Sequence, residues 1–163
     1  MNPPSPYPTA PPWQVAQWFN AAQPPSLESL RGRIVVLHAF QMLCPGCVQH
    51  GLPQAQAVQR EFAGHDVAVI GLHTVFEHHE AMRPASLAAF LHEYRIAFPV
   101  GVDLPAAEGP VPLTMRAYDM RGTPTLVVID RAGRIRLHAF GRVGDLALGA
   151  LIGGLLAEPA PAP

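Results

Sequence analysis

Apolar positions along this chain fall into runs and periods that predict alternating strands and helices. Ile34 to Phe40, "IVVLHAF", and Val67 to His73, "VAVIGLH", are apolar, β-branched-rich runs bounded by turn residues, as expected for buried strands of a partly parallel sheet. Between them a helix is expected from Pro45 to about Phe62, kinked or split at Pro53, because proline is tolerated at the first helical position but not deeper. Pro84 to Arg95 carries Leu87, Phe90, Leu91 and Tyr94 at helical spacing, and "AFPVGVD", Ala97 to Asp103, reads as the next strand. Ahead of the first strand, Ser26 to Arg33 suits a short turn or helix. Later in the chain, Leu113 to Tyr118 suits a brief helix and Val143 to Leu156 a closing one. Thr125 to Asp130 and Arg134 to Phe140 read as an antiparallel hairpin joined through Arg131, Ala132 and Gly133. The order predicts an α/β fold with a central mixed sheet flanked by helices.

The length of 163 residues fits a single domain. "MNPPSPYPTAPP" at the start and "EPAPAP" at the end are proline-rich, so residues 1–12 and 158–163 are expected to be disordered around a domain spanning residues 13–157. With a net charge of −1 and eleven scattered arginines but no lysine, nothing draws the chain to nucleic acid or anionic lipid. No apolar run approaches the roughly 20 residues that cross a bilayer, so no membrane association is expected. The opening lacks a basic stretch followed by an apolar core, which makes the cytoplasm the expected compartment, or the periplasm for a chain that has lost a leader.

Chemistry concentrates in "LHAFQMLCPGCVQHGLP", Leu37 to Pro53, which holds both cysteines of the chain. A strand that ends just before Cys44 and a helix that begins just after it put the first sulfur at a helix N-terminus. Unpaired amides and the dipole there favour a thiolate and should lower the thiol pKa. Cys47, one turn on, lies on the same face and can close a disulfide with Cys44. Two other readings stand beside this one. Cys44, Cys47 and His50 could hold zinc, although a closed site needs about four ligands and no second pair is present. Alternatively, both could be inert buried thiols. The loop "HTVFEHHE", with His73, Glu77, His78, His79 and Glu80, invites a metal reading, yet its spacing fits no standard ligand motif and no metal is expected. His73 is placed by its strand near the Cys44 rim, where it could touch substrate or shift the thiol. Phe40, Met42 and Leu43 are candidates for an apolar docking surface around that sulfur, or equally for ordinary core residues.

Taken together, "LRGRIVVLHAF", "CPGC", "MRGTPTLVVIDRAGRI" and the α-β insert between about Arg83 and Asp103 resemble the TlpA-like redoxins, thioredoxin-fold members of the AhpC/TSA redoxin superfamily, over Trp13 to Leu156. The resemblance implies a thioredoxin fold with an N-terminal extension and a TlpA-like α-β insert. It implies a thiol–disulfide oxidoreductase in which Cys44 attacks, Cys47 resolves, and Pro124 follows Thr123 through a cis peptide bond facing the sulfurs. Thr123, Pro124, Leu43 and Pro45 are then the expected substrate-binding residues. This sequence departs from the family at Leu43, where tryptophan is usual, and at His38, where thioredoxins carry a buried acid. A neutral His38 could accept the Cys47 proton, or simply be a satisfied core histidine.

No cofactor is expected. The expected partners are protein or small-molecule disulfides and an unidentified thiol electron donor, acting on a monomer or homodimer. Two other functions are weighed, a non-enzymatic binding module and a thiol peroxidase. Peroxidases of the redoxin group typically carry Pro and Thr seven and three residues before the cysteine, where this chain has Leu37 and Gln41.

Overall fold

The computed structural model describes residues 5–159. Strands β1 (Val15–Phe19), β2 (Ile34–Phe40), β3 (Val67–His73), β4 (Val100–Asp103), β5 (Thr125–Ile129) and β6 (Ile135–Phe140) form one mixed sheet in the order β1-β4-β3-β2-β5-β6. The two strands expected from continuous apolar runs, β2 and β3, pair in parallel and are buried along their whole length. Antiparallel pairing joins β2 to β5 and β5 to β6.

Alternate residues of the central strands feed two cores. Ile34, Val36 and Phe40 of β2 face helices α1 (Leu52–Glu61), α2 (Pro84–Glu93) and α4 (Asp145–Ala157), joining a cluster that includes Cys47, Leu52, Leu87 and Ile152. On the other side, Val35, Leu37 and Ala39 pack with Leu30, Tyr118 and Met115 of the short α3 (Leu113–Ala117). Gly71 on β3 faces the first of these cores, where Phe40, Phe98 and Val100 crowd it. A Cβ there would lie 3.0 Å from Val100, 3.1 Å from Phe98 and 3.3 Å from Phe40.

Ser26 to Arg33, expected as a short turn or helix, takes the turn. Several boundaries differ from expectation for identifiable reasons. Helix α2 stops at Glu93, two residues before Arg95, which takes φ +53°. Strand β4 begins only after Pro99, whose carbonyl accepts the Gly71 N–H at 2.9 Å but which has no amide to extend the ladder. The helix after Cys44 is divided, with a π-helical turn over Cys47–Gly51 that hands over to α1 ahead of Pro53, where a proline ring would clash with a normal helical carbonyl.

Strand β1 had no counterpart in the expected elements. It is an edge strand antiparallel to β4, with Trp18 and Phe19 opposite Gly101 and Val100. Part of the lead-in expected to lack structure is docked on the β5–β6 hairpin. Ala10 donates its N–H to Gly133 at 2.9 Å, and the Pro8 and Pro11 carbonyls accept from the Ile135 N–H (2.8 Å) and the Tyr118 hydroxyl (2.7 Å). Prolines lack the donor but keep the acceptor, so a proline-rich segment can still line a sheet edge. Residues 1–4 and 160–163 of the expected tails lie outside the described residues. Among those described, no helix is long and apolar enough to cross a membrane.

Replacing Gly71 with alanine forces three core side chains apart, and Gly71→Ala is expected to lower the unfolding free energy by about 1–3 kcal/mol, seen as a lower urea midpoint. An unchanged midpoint would contradict this packing.

Candidate active site

Strand β2 ends at Phe40, and the turn Gln41 to Leu43 carries the chain to Cys44. The Cys44 N–H donates to the Gln41 carbonyl at 3.1 Å, and the Cys44 carbonyl accepts from Val48 N–H at 3.1 Å as the helix begins. Around the first sulfur the contacts are directional. The Cys47 N–H points to Cys44 Sγ at 3.3 Å, and the Cys44 thiol faces the Thr123 carbonyl at 3.5 Å. Both cysteines are free thiols, Cys44 part-exposed and Cys47 without exposed surface.

Burial pushes the Cys47 thiol up to about 12, the hydrogen bond to Cys44 and its charge adding to the rise while contacts with Gln41 and Thr123 oppose it. Near neutral pH, Cys47 is therefore a protonated, shielded thiol beneath a reachable one.

The Thr123–Pro124 peptide is cis. Pro124 lies against the start of the helix, facing Gly46 and Gly51. A Cβ at either position would sit 3.4 Å from the proline ring, an ordinary van der Waals contact. Pro45 is exposed at the first helical position and Leu43 is 56 % exposed beside it.

Of the three residues expected to make an apolar rim, only Leu43 reaches the surface. Phe40 and Met42 are core residues, at 1 % and 8 % exposure. The rim instead recruits residues from distant segments. A groove of ≈ 460 Å³ beside Cys44 is lined by Leu43, Phe76, Glu77, Arg121, Thr123 and Phe140, among others. Phe140 is 52 % exposed and lies over Gly122, where a Cβ would come within 2.9 Å of the ring. The Arg121 guanidinium sits 5.8 Å from the same ring. Sequence reasoning missed Phe76, Arg121 and Phe140. Only the β5–β6 hairpin pattern hinted that Phe140 would return near Thr123.

His38 lies on the β2 face that also packs Cys47 and α1, and is 3 % exposed. It borders a cavity of ≈ 180 Å³ behind Pro124 that Gln54, Arg142 and Asp145 also line. Its Nε2 has no protein partner among the described residues, and burial lowers the ring from 6.5 to about 4, so it is neutral at neutral pH. His73 is not at the substrate rim. It is 1 % exposed, accepts a backbone amide from Met42, and burial lowers it too to about 4. His78 and His79 are exposed on the loop beyond. Among the described residues, no three His, Cys, Asp or Glu side chains converge as metal ligands would.

The profile of the AhpC/TSA family matches residues 9–138. The crystal structure of the thioredoxin-like superfamily protein SPOA0173 is 61% identical, with a TM-score of 0.91 over 94% of this chain and 99% of that one. A thiol-disulfide isomerase from Corynebacterium glutamicum is 49% identical, with a TM-score of 0.87 over 92% and 98%. Protein DipZ of Mycobacterium bovis and of Mycobacterium tuberculosis is 29% identical over 133 residues, 80% of this chain but only 18% of DipZ. The chain thus spans less than a fifth of the length of these curated relatives. The six-stranded mixed sheet with its flanking helices is a thioredoxin-like fold.

Two buried neutral imidazoles make stability depend on pH. Below 6.5 an unfolded chain protonates both rings, while the folded ones stay neutral down to about 4, so the unfolded state binds more protons in that window. Their contribution is complete above pH 6.5 and falls toward pH 4, by about 1.4 kcal/mol per pH unit for each ring. Asp103, whose carboxyl is raised by burial, acts in the opposite sense. Urea midpoints measured from pH 7 to 4 should decline steadily, and a flat profile would contradict the burial of neutral His38 and His73.

Proposed function

The chain belongs to the AhpC/TSA family, and from that membership we propose that it is a thiol–disulfide oxidoreductase, acting as a protein-disulfide reductase through a Cys44-Pro45-Gly46-Cys47 couple. The observation that carries this reading is the asymmetry of the pair. Cys44 is reachable and receives the Cys47 N–H, whereas Cys47 is enclosed one helical turn away.

In the proposed reaction the Cys44 thiolate attacks one sulfur of a substrate disulfide. A Cys44–substrate disulfide forms, and the other substrate sulfur leaves as a thiolate that takes a proton. Next, Cys47 loses its proton and attacks Cys44 Sγ. The Cys44–Cys47 bond forms, the second substrate thiol departs, and two electrons have passed from the chain to the substrate. The same environment times the second step. Part of what keeps Cys47 protonated is its hydrogen bond to, and the charge on, Cys44, and both are lost once that sulfur is bonded to substrate. A thiol donor then restores the dithiol.

Thr123 and Pro124 are assigned to substrate binding, the Thr123 backbone pairing with an extended segment around the half-cystine. Leu43 and Pro45 are assigned to its apolar neighbours. His38 is assigned as acceptor of the Cys47 proton. In its favour are a neutral ring, a free Nε2 and a place on the same sheet face as Cys47.

The test is insulin reduction driven by dithiothreitol, run beside hydrogen peroxide consumption. Wild type is expected to reduce insulin. Cys44→Ser should lose essentially all activity, and Cys47→Ser should accumulate a mixed disulfide that dithiothreitol releases. His38→Leu should slow release of the second substrate thiol more than formation of the mixed disulfide. Peroxide consumption without insulin reduction would favour a peroxidase, and neither activity would leave a binding module.

A further inference from the structure

Two buried polar side chains outside the reacting pair attach to the backbone that carries Cys44. His73 is the last residue of β3, and the parallel register sets it beside Phe40, the last residue of β2. The Thr74 N–H donates to the Phe40 carbonyl at 3.0 Å, and there the main-chain ladder between the strands stops. The next donor on the β2 side is taken up by a side chain, since the Met42 N–H donates to His73 Nε2 at 3.2 Å in a buried setting. Gln41, 1 % exposed, works across the same gap in the other direction. Its Oε1 accepts the Phe76 N–H at 3.1 Å and its Nε2 donates to Glu77 Oε1 at 3.4 Å.

Met42 lies inside the turn closed by the Cys44 N–H to Gln41 carbonyl bond. Holding its amide therefore holds the peptide planes that aim Cys44 Sγ between the Cys47 N–H and the Thr123 carbonyl. We propose that His73 is a positioning residue for Cys44, its Nε2 serving as the acceptor that extends the β2–β3 ladder one peptide into the cysteine turn. The importance of this for turnover rests on the proposed disulfide chemistry, whereas the placement of Cys44 does not.

The side-chain chemistry is specific. Leucine would fill the space beside the Phe40 ring, whose centroid lies 5.2 Å from that of His73, but would leave the buried Met42 N–H without an acceptor. An imidazolium could not accept either, because both of its nitrogens are donors. Burial keeps the ring neutral over the range of thiol chemistry. With Nε2 accepting, the proton falls on Nδ1, which is buried and has no partner among the described residues. Glutamine can place an amide oxygen where Nε2 stands and does not titrate, so it should replace the function without the ring.

The deciding measurement is the rate of Cys44 alkylation by iodoacetamide at pH 7, compared among wild type, His73→Leu and His73→Gln, with urea midpoints recorded in parallel. His73→Leu should react about tenfold more slowly, the loss expected when a turn released from one hydrogen bond no longer holds Cys44 Sγ at the Cys47 N–H. His73→Gln should remain close to wild type even where its midpoint falls as far as that of the leucine variant. A wild-type rate in His73→Leu overturns the proposal, as does an equal loss in both variants, which would assign the effect to the ring's packing.

Should His73→Leu not fold, the nitrogen-15 shifts of the wild-type ring decide. The proposal requires a protonated Nδ1 and a hydrogen-bonded, unprotonated Nε2, and the opposite tautomer refutes it. Alkylation does not depend on turnover, so a chain that shows these rates but reduces no disulfide loses the functional reading and keeps this one.

Discussion

Pairing of β2 with β3 on one side and β5 on the other fixes where the chain can put Cys44. Parallel register brings the ends of β2 and β3 to the same edge, Phe40 beside His73. Antiparallel register sets Ala39 opposite Thr125, so Thr123 and Pro124 enter the sheet at that edge too. The strand, the turn and the cis peptide therefore converge because β2 is held between β3 and β5 in this register. Pro124 then packs on the helix start beside Gly46 and Gly51.

From that convergence follows the contrast between the sulfurs. One lies at the rim of an open groove under an amide, and the other is sealed in the core beside Leu52 and Ile152. In the proposed reaction these unlike environments would divide attack from resolution, since the part-exposed sulfur is the one a bulky disulfide can meet. The interior around them is held by neutral polar groups rather than ion pairs. His38 and His73 are both uncharged, and Gln41 has both ends of its amide engaged. The ionic contacts lie elsewhere, as where Asp130, Arg134, Arg136 and Glu158 tie the β5–β6 turn to the end of α4.

How much of this was legible depended on how local the signal was. Strands β2 and β3 and the hairpin are written in continuous apolar runs and a glycine turn, and they match within a residue or two. Strand β1 was not legible because "VAQWF" at a sheet edge is half solvated and its partner lies on the far side of the chain. The docking of Pro8 to Pro11 was hidden for a related reason, since carbonyl acceptors leave no mark on composition. At the site, the cysteines and Pro124 were visible as a motif. The groove walls Phe76, Arg121 and Phe140, and the hold of His73 on Met42, depend on register between segments that no local pattern reports. Between rim and core for Phe40 and Met42 the sequence does not decide, and the strand end buries both.

Cys44 and Cys47 are proposed to form one two-electron couple. Equilibrating the chain in dithiothreitol or glutathione buffers and counting free thiols at each poise tests this. A single reversible transition is expected, in which both thiols disappear together into an intramolecular disulfide, and a midpoint at or below about −250 mV would fit a reductant. Two thiols that persist at every poise, or that take up glutathione without ever bonding to each other, would contradict it.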